Sequence, residues 1–261
     1  MEIKVLLIGD IVGKPGRTAL KEKLPAFLET NRVDFVIANG ENAAQGSGIT
    51  DNLFREIVAT GVDCVTCGDH VWRRKEILPT LERDRRLLRP MNYAPESVGR
   101  GMGVYETRLG VRIGVVTLVG RIFMGPSDCP FHAVDRAMET LRREAPVRFV
   151  EIHAEATSEK MALAWKLNGH VSCVFGSHTH VPTADERVLS EGTAYITDIG
   201  MTGPYDSVIG RDKESVIYKF ETGMHAPFNV ATGDVRISGA LVTVNAETGK
   251  ALAIERVMIP A

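Results

Sequence analysis

Short apolar runs alternate with helix-length amphipathic stretches along the first two thirds of the chain. "KVLLIG" (4–9) precedes a helical pattern near 17–29, "DFVIAN" (34–39) precedes another near 51–60, and "DCVTCG" (63–68) precedes a charged one near 73–85. After "RIGVVTLVG" (112–120) come helical spacing near 131–144, "VRFVEIH" (147–153), helical spacing near 157–168 and "SCVFGS" (172–177). Near-continuous apolar strands with helices between them predict an α/β sheet covered on both faces. From about 183 the runs shorten and turn residues multiply, in "TAYITD", "SVIYKF", "VRISGALVTV" and "ALAIERVMI". Such runs predict a second, more antiparallel sheet stacked on the first. No low-complexity linker, charge block or internal repeat interrupts the pattern, so residues 1–261 read as one domain.

The polar residues that end these runs carry the chemistry. "LLIGD", "VIANGEN", "VTCGDH", "FVEIH" and "VFGSHTH" each close an apolar run with acid, amide or imidazole. Ligands of open α/β sheets bind beyond the carboxyl ends of the strands. The five ends therefore predict one constellation of Asp10, Glu41, Asn42, Asp69, His70, His153, His178 and His180. In an extended segment His178 and His180, two residues apart, point to the same side. Oxygen and nitrogen donors without thiolate suit manganese, iron or zinc in catalytic sites. So many donors exceed what one tetrahedral ion takes, and fit two ions sharing a bridging carboxylate, as in phosphoryl transfer.

Taken singly, each residue has a plainer explanation. Asp10 fits a turn or helix cap, Glu41 and Asn42 fit loop positions, "GDH" fits a turn, and a lone strand histidine such as His153 is commonly a core residue. Only the His178–His180 pair stands unaided; the coincidence of all five ends carries the rest. His132, His170 and His225 sit at helix ends or in a loop and read as solvated. Trp72 and Trp165 read as core or helix-packing aromatics. "CVTC" (64–67) has the form of a redox or zinc pair but lacks a second pair, and reads as small core residues in a reducing compartment. "GDIVGKPGRT" (9–18) fails the phosphate-loop spacing, with Pro15 where a hydroxyl is required, so its glycines serve turns.

Composition narrows the class. The 261 residues are 44% hydrophobic and 25% charged, enough for a substantial core. A formal charge of −2 gives no field for extended nucleic-acid or membrane-surface binding. No apolar run reaches the length of a signal peptide or membrane span, so the expected location is the cytoplasm.

With these residues aligned, the chain resembles the calcineurin-like metallophosphoesterases, and within them the YmdB-type bacterial 2′,3′-cyclic-nucleotide 2′-phosphodiesterases. The resemblance runs through "GDIVGKPGR", "NGENAAQGSG", "RPMNYAPE", "HAEATSEKMALAW", "GSHTHVPTAD" and "GTAYITDIGMTGPYDSVIG", essentially the whole chain. It implies a four-layer α/β/β/α sandwich, two metal ions per chain (iron first, with manganese or zinc as alternatives) and hydrolysis of a small phosphodiester, a cyclic nucleotide or RNA end. By position, Asp10, Asn42 and His180 would hold the first metal, Glu41 would bridge, and Asp69, His153 and His178 would hold the second. His70 would donate the proton while a metal-bridging hydroxide attacks, turning 2′,3′-cyclic nucleotides into 3′-nucleotides. Arg121 and "GMTGP" (200–204) would line the pocket.

Three departures qualify the likeness. Val12 stands where the superfamily has histidine, and Glu41 where it has aspartate; both are typical of the narrower branch. Asp69 stands in "CGDHVW" where the branch has asparagine. Its extra negative charge is expected to tighten metal binding and to weaken stabilisation of an anionic transition state, or to favour a ferric ion. Two other classes compete: a metal-dependent hydrolase of carbon centres, and a regulatory or RNA-interaction protein using the metal site as a scaffold. The late antiparallel strands offer an edge for a homo-oligomer.

Overall fold

The computed structural model describes residues 1–261. The first half folds as β1 (Glu2–Ile8), β2 (Asp10–Ile11), α1 (Gly13–Asn31), β3 (Phe35–Asn39), α2 (Asp51–Val58), β4 (Cys64–Thr66), α3 (Leu78–Arg83), β5 (Leu87–Leu88), β6 (Met102–Glu106) and β7 (Arg112–Val119). The rest comprises α4 (Pro130–Glu144), β8 (Val147–His153), α5 (Thr157–Leu167), β9 (Cys173–Ser177), β10 (Arg187–Val188), β11 (Ala194–Ile196), β12 (Met201–Pro204), α6 (Lys213–Thr222), β13 (Val235–Asn245) and β14 (Ala251–Pro260). One sheet runs β2-β12-β13-β1-β3-β4-β5, with β14 paired to β13; the other runs β10-β11-β9-β8-β7-β6.

Strand β1 shows why the sheets stack. Ile3, Val5 and Leu7 enter a cluster with Ile113, Phe149 and Phe175 of the second sheet. Leu6 and Ile8, pointing the other way, pack with Leu20 and Leu24 of α1 and Phe54 of α2. Alternation along a strand thus serves two different cores. A third core joins Val116 and Val150 of the second sheet to Ala137 and Leu141 of α4 and Leu163 of α5. Three apolar layers between helices, two sheets and helices again make the four-layer α/β/β/α sandwich.

The order of elements differs from the expectation of an early parallel sheet and a late antiparallel one. Strands β7, β8 and β9 are parallel to one another in the second sheet, while late β13 pairs antiparallel with β1 at the centre of the first. A continuous apolar run reports burial on both faces, but not which sheet it joins. "SVIYKF" is helical, inside α6, rather than a strand: Asp212 caps the start by accepting from Glu214 N, and Gly223 ends it at φ 72°. Those end signals outweigh the β-branched run. The helix expected over 73–85 is shorter, a 3₁₀ turn (Lys75–Ile77) followed by α3. Trp165 is exposed and lies beneath the Arg187 guanidinium instead of packing inside. Trp72 is also partly exposed, stacked on Tyr93.

Parallel β1, β3 and β4 in one sheet and β7, β8 and β9 in the other bring their carboxyl ends to one edge of the sandwich. All five predicted polar clusters lie there. Cys64 and Cys67, three apart around β4, point into different cores and cannot grip one ion together. No helix is long and apolar enough to cross a membrane.

Candidate metal centre

His153, at the end of β8, is fully buried and is the hub of the cluster. Its Nε2 lies 3.0 Å from Glu41 Oε1, 3.1 Å from Asp69 Oδ1 and 3.0 Å from His178 Nδ1. Gly68 permits this approach: any Cβ there would collide with the His153 ring. Glu41, just beyond β3, accepts Gly68 N–H (2.5 Å) and His70 N–H (3.0 Å) on Oε2, so one carboxylate ties the β3 end to the β4 end. Asp10 opens β2, paired with Met201 of β12, its Oδ1 3.8 Å from His180 Nε2 and its Oδ2 accepting His178 N–H at 3.3 Å. Asn42 donates from Nδ2 to Gly46 O (3.2 Å) and lies 3.0 Å from His70 Nδ1.

His178 and His180 are not in an extended segment. Both have left-handed backbones, with φ 96° and 64°, which costs non-glycine residues stability and needs outside support. The turn sends the rings apart. His178 Nδ1 faces His153 and Asp69 (3.6 Å to Oδ1), whereas His180 Nε2 faces Asp10. Strand alternation therefore did not bring them to one point; they flank the cluster from two sides.

Each of the three deeper imidazoles has its far nitrogen tied to an acceptor. His180 Nδ1 reaches Ile209 O at 2.9 Å, and His178 Nε2 reaches Glu155 Oε2 at 3.3 Å. His153 Nδ1 lies 3.0 Å from Ser177 Oγ, whose hydroxyl donates to buried Glu151 Oε1 at 2.7 Å. With its proton committed to Glu151, Ser177 Oγ accepts from His153 Nδ1–H. The pattern leaves Nε2, Nδ1 and Nε2 of His153, His178 and His180 aimed inward, as metal-binding histidines are oriented by outer partners.

The electrostatics are those of a crowded acid cluster around one cation. Burial alone would lower His153, but the Glu41 charge and the hydrogen bonds to Asp69 and Glu41 raise it well above its ordinary range. Burial pushes Asp10 up to about 7. Burial would raise Asp69 and Glu41 as well, yet hydrogen bonds and charge from His153, and from His178 for Asp69, hold both below the usual carboxylate range. Burial lowers His180.

The donor set fits metal ions. Asp10 Oδ1 and Asn42 Oδ1 are buried without any hydrogen-bond partner, a cost of about 1–3 kcal/mol each unless a cation or water satisfies them. Inward-facing ligand atoms group as Asp69, His153 and His178, and as Asp10, Glu41 and His153, each set within 4.8 Å. Two overlapping groups match a dinuclear site.

Other sequence expectations fall out by position. His132, His170 and His225 are exposed. Gly13 starts α1 at φ 60°, a turn role. Arg121 is exposed, with its backbone N–H held by Glu159. "GMTGP" is mostly strand β12 beside Asp10, and Met201 and His180 share a hollow of about 330 Å³. Glu151, Ser177, Glu155 and Asn39, which donates from Nδ2 to Glu151 Oε1 at 2.9 Å, were not anticipated. The signal for Glu151 is an acid two residues before His153 inside an otherwise apolar run.

A second unanticipated pair lies behind the turn. Lys160 Nζ donates to Asp198 Oδ2 and Ser177 O, both at 2.8 Å. The same Asp198 Oδ2 accepts Thr179 N–H (3.1 Å) and Thr179 Oγ1–H (2.8 Å), between the two histidines.

The family described as "YmdB-like protein" matches residues 6–257. The 2′,3′-cyclic-nucleotide 2′-phosphodiesterase of Bacillus subtilis (strain 168) is 42% identical over 257 residues, covering 98% of this chain and 97% of that protein. A putative phosphatase/phosphodiesterase of Mycoplasma genitalium is 32% identical over 98% of this chain and 93% of its own length. Among crystal structures, a hypothetical protein from Thermus thermophilus superposes with TM-score 0.92 at 43% identity, covering 99% of both chains. A phosphatase from Mycoplasma pneumoniae superposes with TM-score 0.93 at 34% identity, covering 100% of this chain and 94% of that one.

Proposed function

This chain belongs to the YmdB-like protein family, and on that premise we propose that it is a metal-dependent phosphodiesterase opening 2′,3′-cyclic nucleotides to 3′-nucleotides. Asp10, Asn42 and His180 would hold one ion, Asp69, His153 and His178 the other, and Glu41 would be shared between them. The observation that carries this reading is the pair of orphaned oxygens, Asp10 Oδ1 and Asn42 Oδ1, in a cluster whose imidazoles are already oriented from behind. Bound divalent ions supply Lewis acidity: they make water acidic enough to attack at neutral pH and offset charge on the phosphate oxygens.

His70 handles the leaving group. Its backbone is pinned by Glu41 and its Nδ1 accepts from the Asn42 amide, so Nε2 carries the ring proton. That nitrogen lies 3.6 Å from Asp69 Oδ2, on the rim of the cluster. Protonating the departing 2′ oxygen from Nε2 spares the reaction a free alkoxide, a contribution typically worth about 10²–10⁴-fold. Asn42 thus serves twice, giving Oδ1 to a metal and fixing the tautomer of His70 with Nδ2.

The test is hydrolysis of 2′,3′-cyclic AMP by metal-analysed protein with the products resolved. Formation of 3′-AMP by protein with two metals per chain supports the reading. Two metals per chain with no turnover of any phosphodiester would instead favour a scaffold role or a carbon-centre hydrolase.

A further inference from the structure

Arg211, just before α6, makes no hydrogen bond to any metal-facing side chain, yet its guanidinium joins segments far apart in the chain. Nη1 donates to Gln45 O (2.9 Å) and to Phe228 O (2.8 Å), and Nη2 donates to Gly46 O. All three acceptors are neutral carbonyls. Burial pushes the guanidinium below its ordinary pKa, and no ion pair offsets that cost. A planar fork of donors fixes the groups it binds relative to one another, which a flexible ammonium does not. Gly46 is shaped to this contact: its φ is 79°, and any Cβ there would collide with the guanidinium.

Both joined segments orient candidate ligands of the same ion. Gly46 O also accepts Asn42 Nδ2–H at 3.2 Å, and Gly46 N–H donates to Asn42 O at 2.9 Å, so the carbonyl that Arg211 grips also fixes the Asn42 amide. The orphaned Oδ1 belongs to that amide. On the other side, Arg211 N–H donates to Val208 O, and Arg211 O accepts Val208 N–H, both at 2.9 Å, closing a two-residue turn. Its central residues, Ile209 (φ 45°) and Gly210 (φ 94°), are both left-handed, a conformation that isoleucine keeps only with outside support. Ile209 O is the acceptor behind His180 Nδ1. We infer, on the dinuclear reading of the site, that Arg211 is a positioning residue for the half formed by Asp10, Asn42 and His180, setting the Asn42 loop against the turn that backs His180. Glu41, in the same loop, is held separately by Gly68 and His70 N–H. The other half is oriented by Ser177, Glu151 and Glu155, none of which Arg211 touches.

Arg211→Met keeps the stem and removes the fork, whereas Arg211→Lys keeps the charge without the fork. Competitive metal titration of the full chain reads the two ions as separate steps, and His180→Ala and His178→Ala mark which step belongs to which half. Arg211→Met is expected to weaken the His180 step about 10–100-fold, the usual effect of losing an outer partner, and to spare the His178 step. The sign is decisive, because a nearby cation repels metal ions and loss of its charge alone would tighten binding. Arg211→Lys is expected to weaken the same step. An Arg211→Met protein whose affinity is unchanged, tighter, or equally weakened at both steps overturns the proposal. Wild-type affinity in Arg211→Lys overturns the role of the fork. Hydrogen exchange on chelator-treated protein supplies a readout without metal: Arg211→Met is expected to speed exchange over residues 42–48 and 207–211 and to leave β8 and β9 protected. Wild-type exchange at both segments also overturns the proposal. A wild type that binds fewer than two ions refutes the dinuclear reading instead, and the exchange result then decides the coupling of the two segments by itself.

Discussion

Replacing Lys160 by methionine tests whether the turn carrying two metal-facing histidines is held by a buried ion pair. The Lys160 and Asp198 side chains are 0% and 1% exposed, and no other cation is paired with Asp198. Lys160→Met keeps the stem and removes Nζ. It leaves a buried carboxylate with only neutral donors: Thr179 N–H, Thr179 Oγ1–H and Gly200 N–H. Removing one partner of a buried pair costs about 3–5 kcal/mol, while replacing both partners is often close to neutral. For a chain of this length 1 kcal/mol moves Tm by roughly 2–4 °C. The metal-free single variant should therefore melt roughly 6 °C or more below wild type, and Lys160→Met/Asp198→Asn should regain most of that loss. Because Thr179 separates His178 from His180, losing the clamp should also weaken metal affinity roughly 10–100-fold. Calorimetric melting of chelator-treated protein and competitive metal titration read the two effects separately. A single variant costing under about 1 kcal/mol, or a double variant no better than the single, would refute the ion-pair argument. Unchanged metal affinity would show that the turn is held by something else.

His70→Ala should keep both metals and lose about 10²–10⁴ in turnover on cyclic nucleotides, with a smaller loss on nitrophenyl phosphodiesters; equal losses on both would remove its acid role. Asp69→Asn should bind metal more weakly and turn over faster when saturated, and unchanged metal content and turnover together would dispose of the charge argument. In the metal-free protein His153 and Asp10 should each contribute less stability as pH rises, opposed by His180, whose folded pKa is lowered by burial. His153 has a raised folded pKa, so its contribution is complete below the unfolded value of 6.5 and fades as pH climbs through the folded one. Asp10 adds to the trend: the unfolded chain ionises near 3.8, the folded group resists until about 7, and stability falls between those values. Metal uptake at pH 6 should consequently expel protons from both groups; calorimetry in buffers of different ionisation enthalpy measures the number, and a buffer-independent heat would contradict it.

The ends of apolar runs made the inward-facing residues legible, because parallel strands deliver their carboxyl ends to one edge whichever sheet they join. Partition into sheets was not legible. "VRFVEIH" and "KVLLIG" have the same two-sided burial, and nothing in either run states that β8 and β1 belong to different sheets. The histidine pair was found for an incomplete reason. Proximity in sequence was correct, but the left-handed turn, and not strand alternation, sets where the rings point. Helix α6 was hidden by its β-branched core, although Asp212 and Gly223 carried the end signals. Lys160, Glu151 and Asp198 escaped notice because a charged residue in a periodic segment reads as solvent-facing until the opposing layer is known.

Those unread residues explain why the cluster tolerates its own charge. Glu41 and Asp69 converge on His153, whose proton balances them in the absence of cations. Its Nε2 faces Glu41, Asp69 and His178, and the opposite nitrogen is committed to Ser177, which donates to Glu151. Three buried acceptors here have no partner: Glu151 Oε2, behind His153, and Asp10 Oδ1 and Asn42 Oδ1 of the candidate ligand set. Hydrogen bonding within the chain therefore orients the imidazoles and leaves acceptor oxygens open. An arrangement evolved only for packing would have closed them, since each open acceptor is destabilising. The open oxygens of Asp10 and Asn42 give a reason, independent of family membership, to expect a cation beside them.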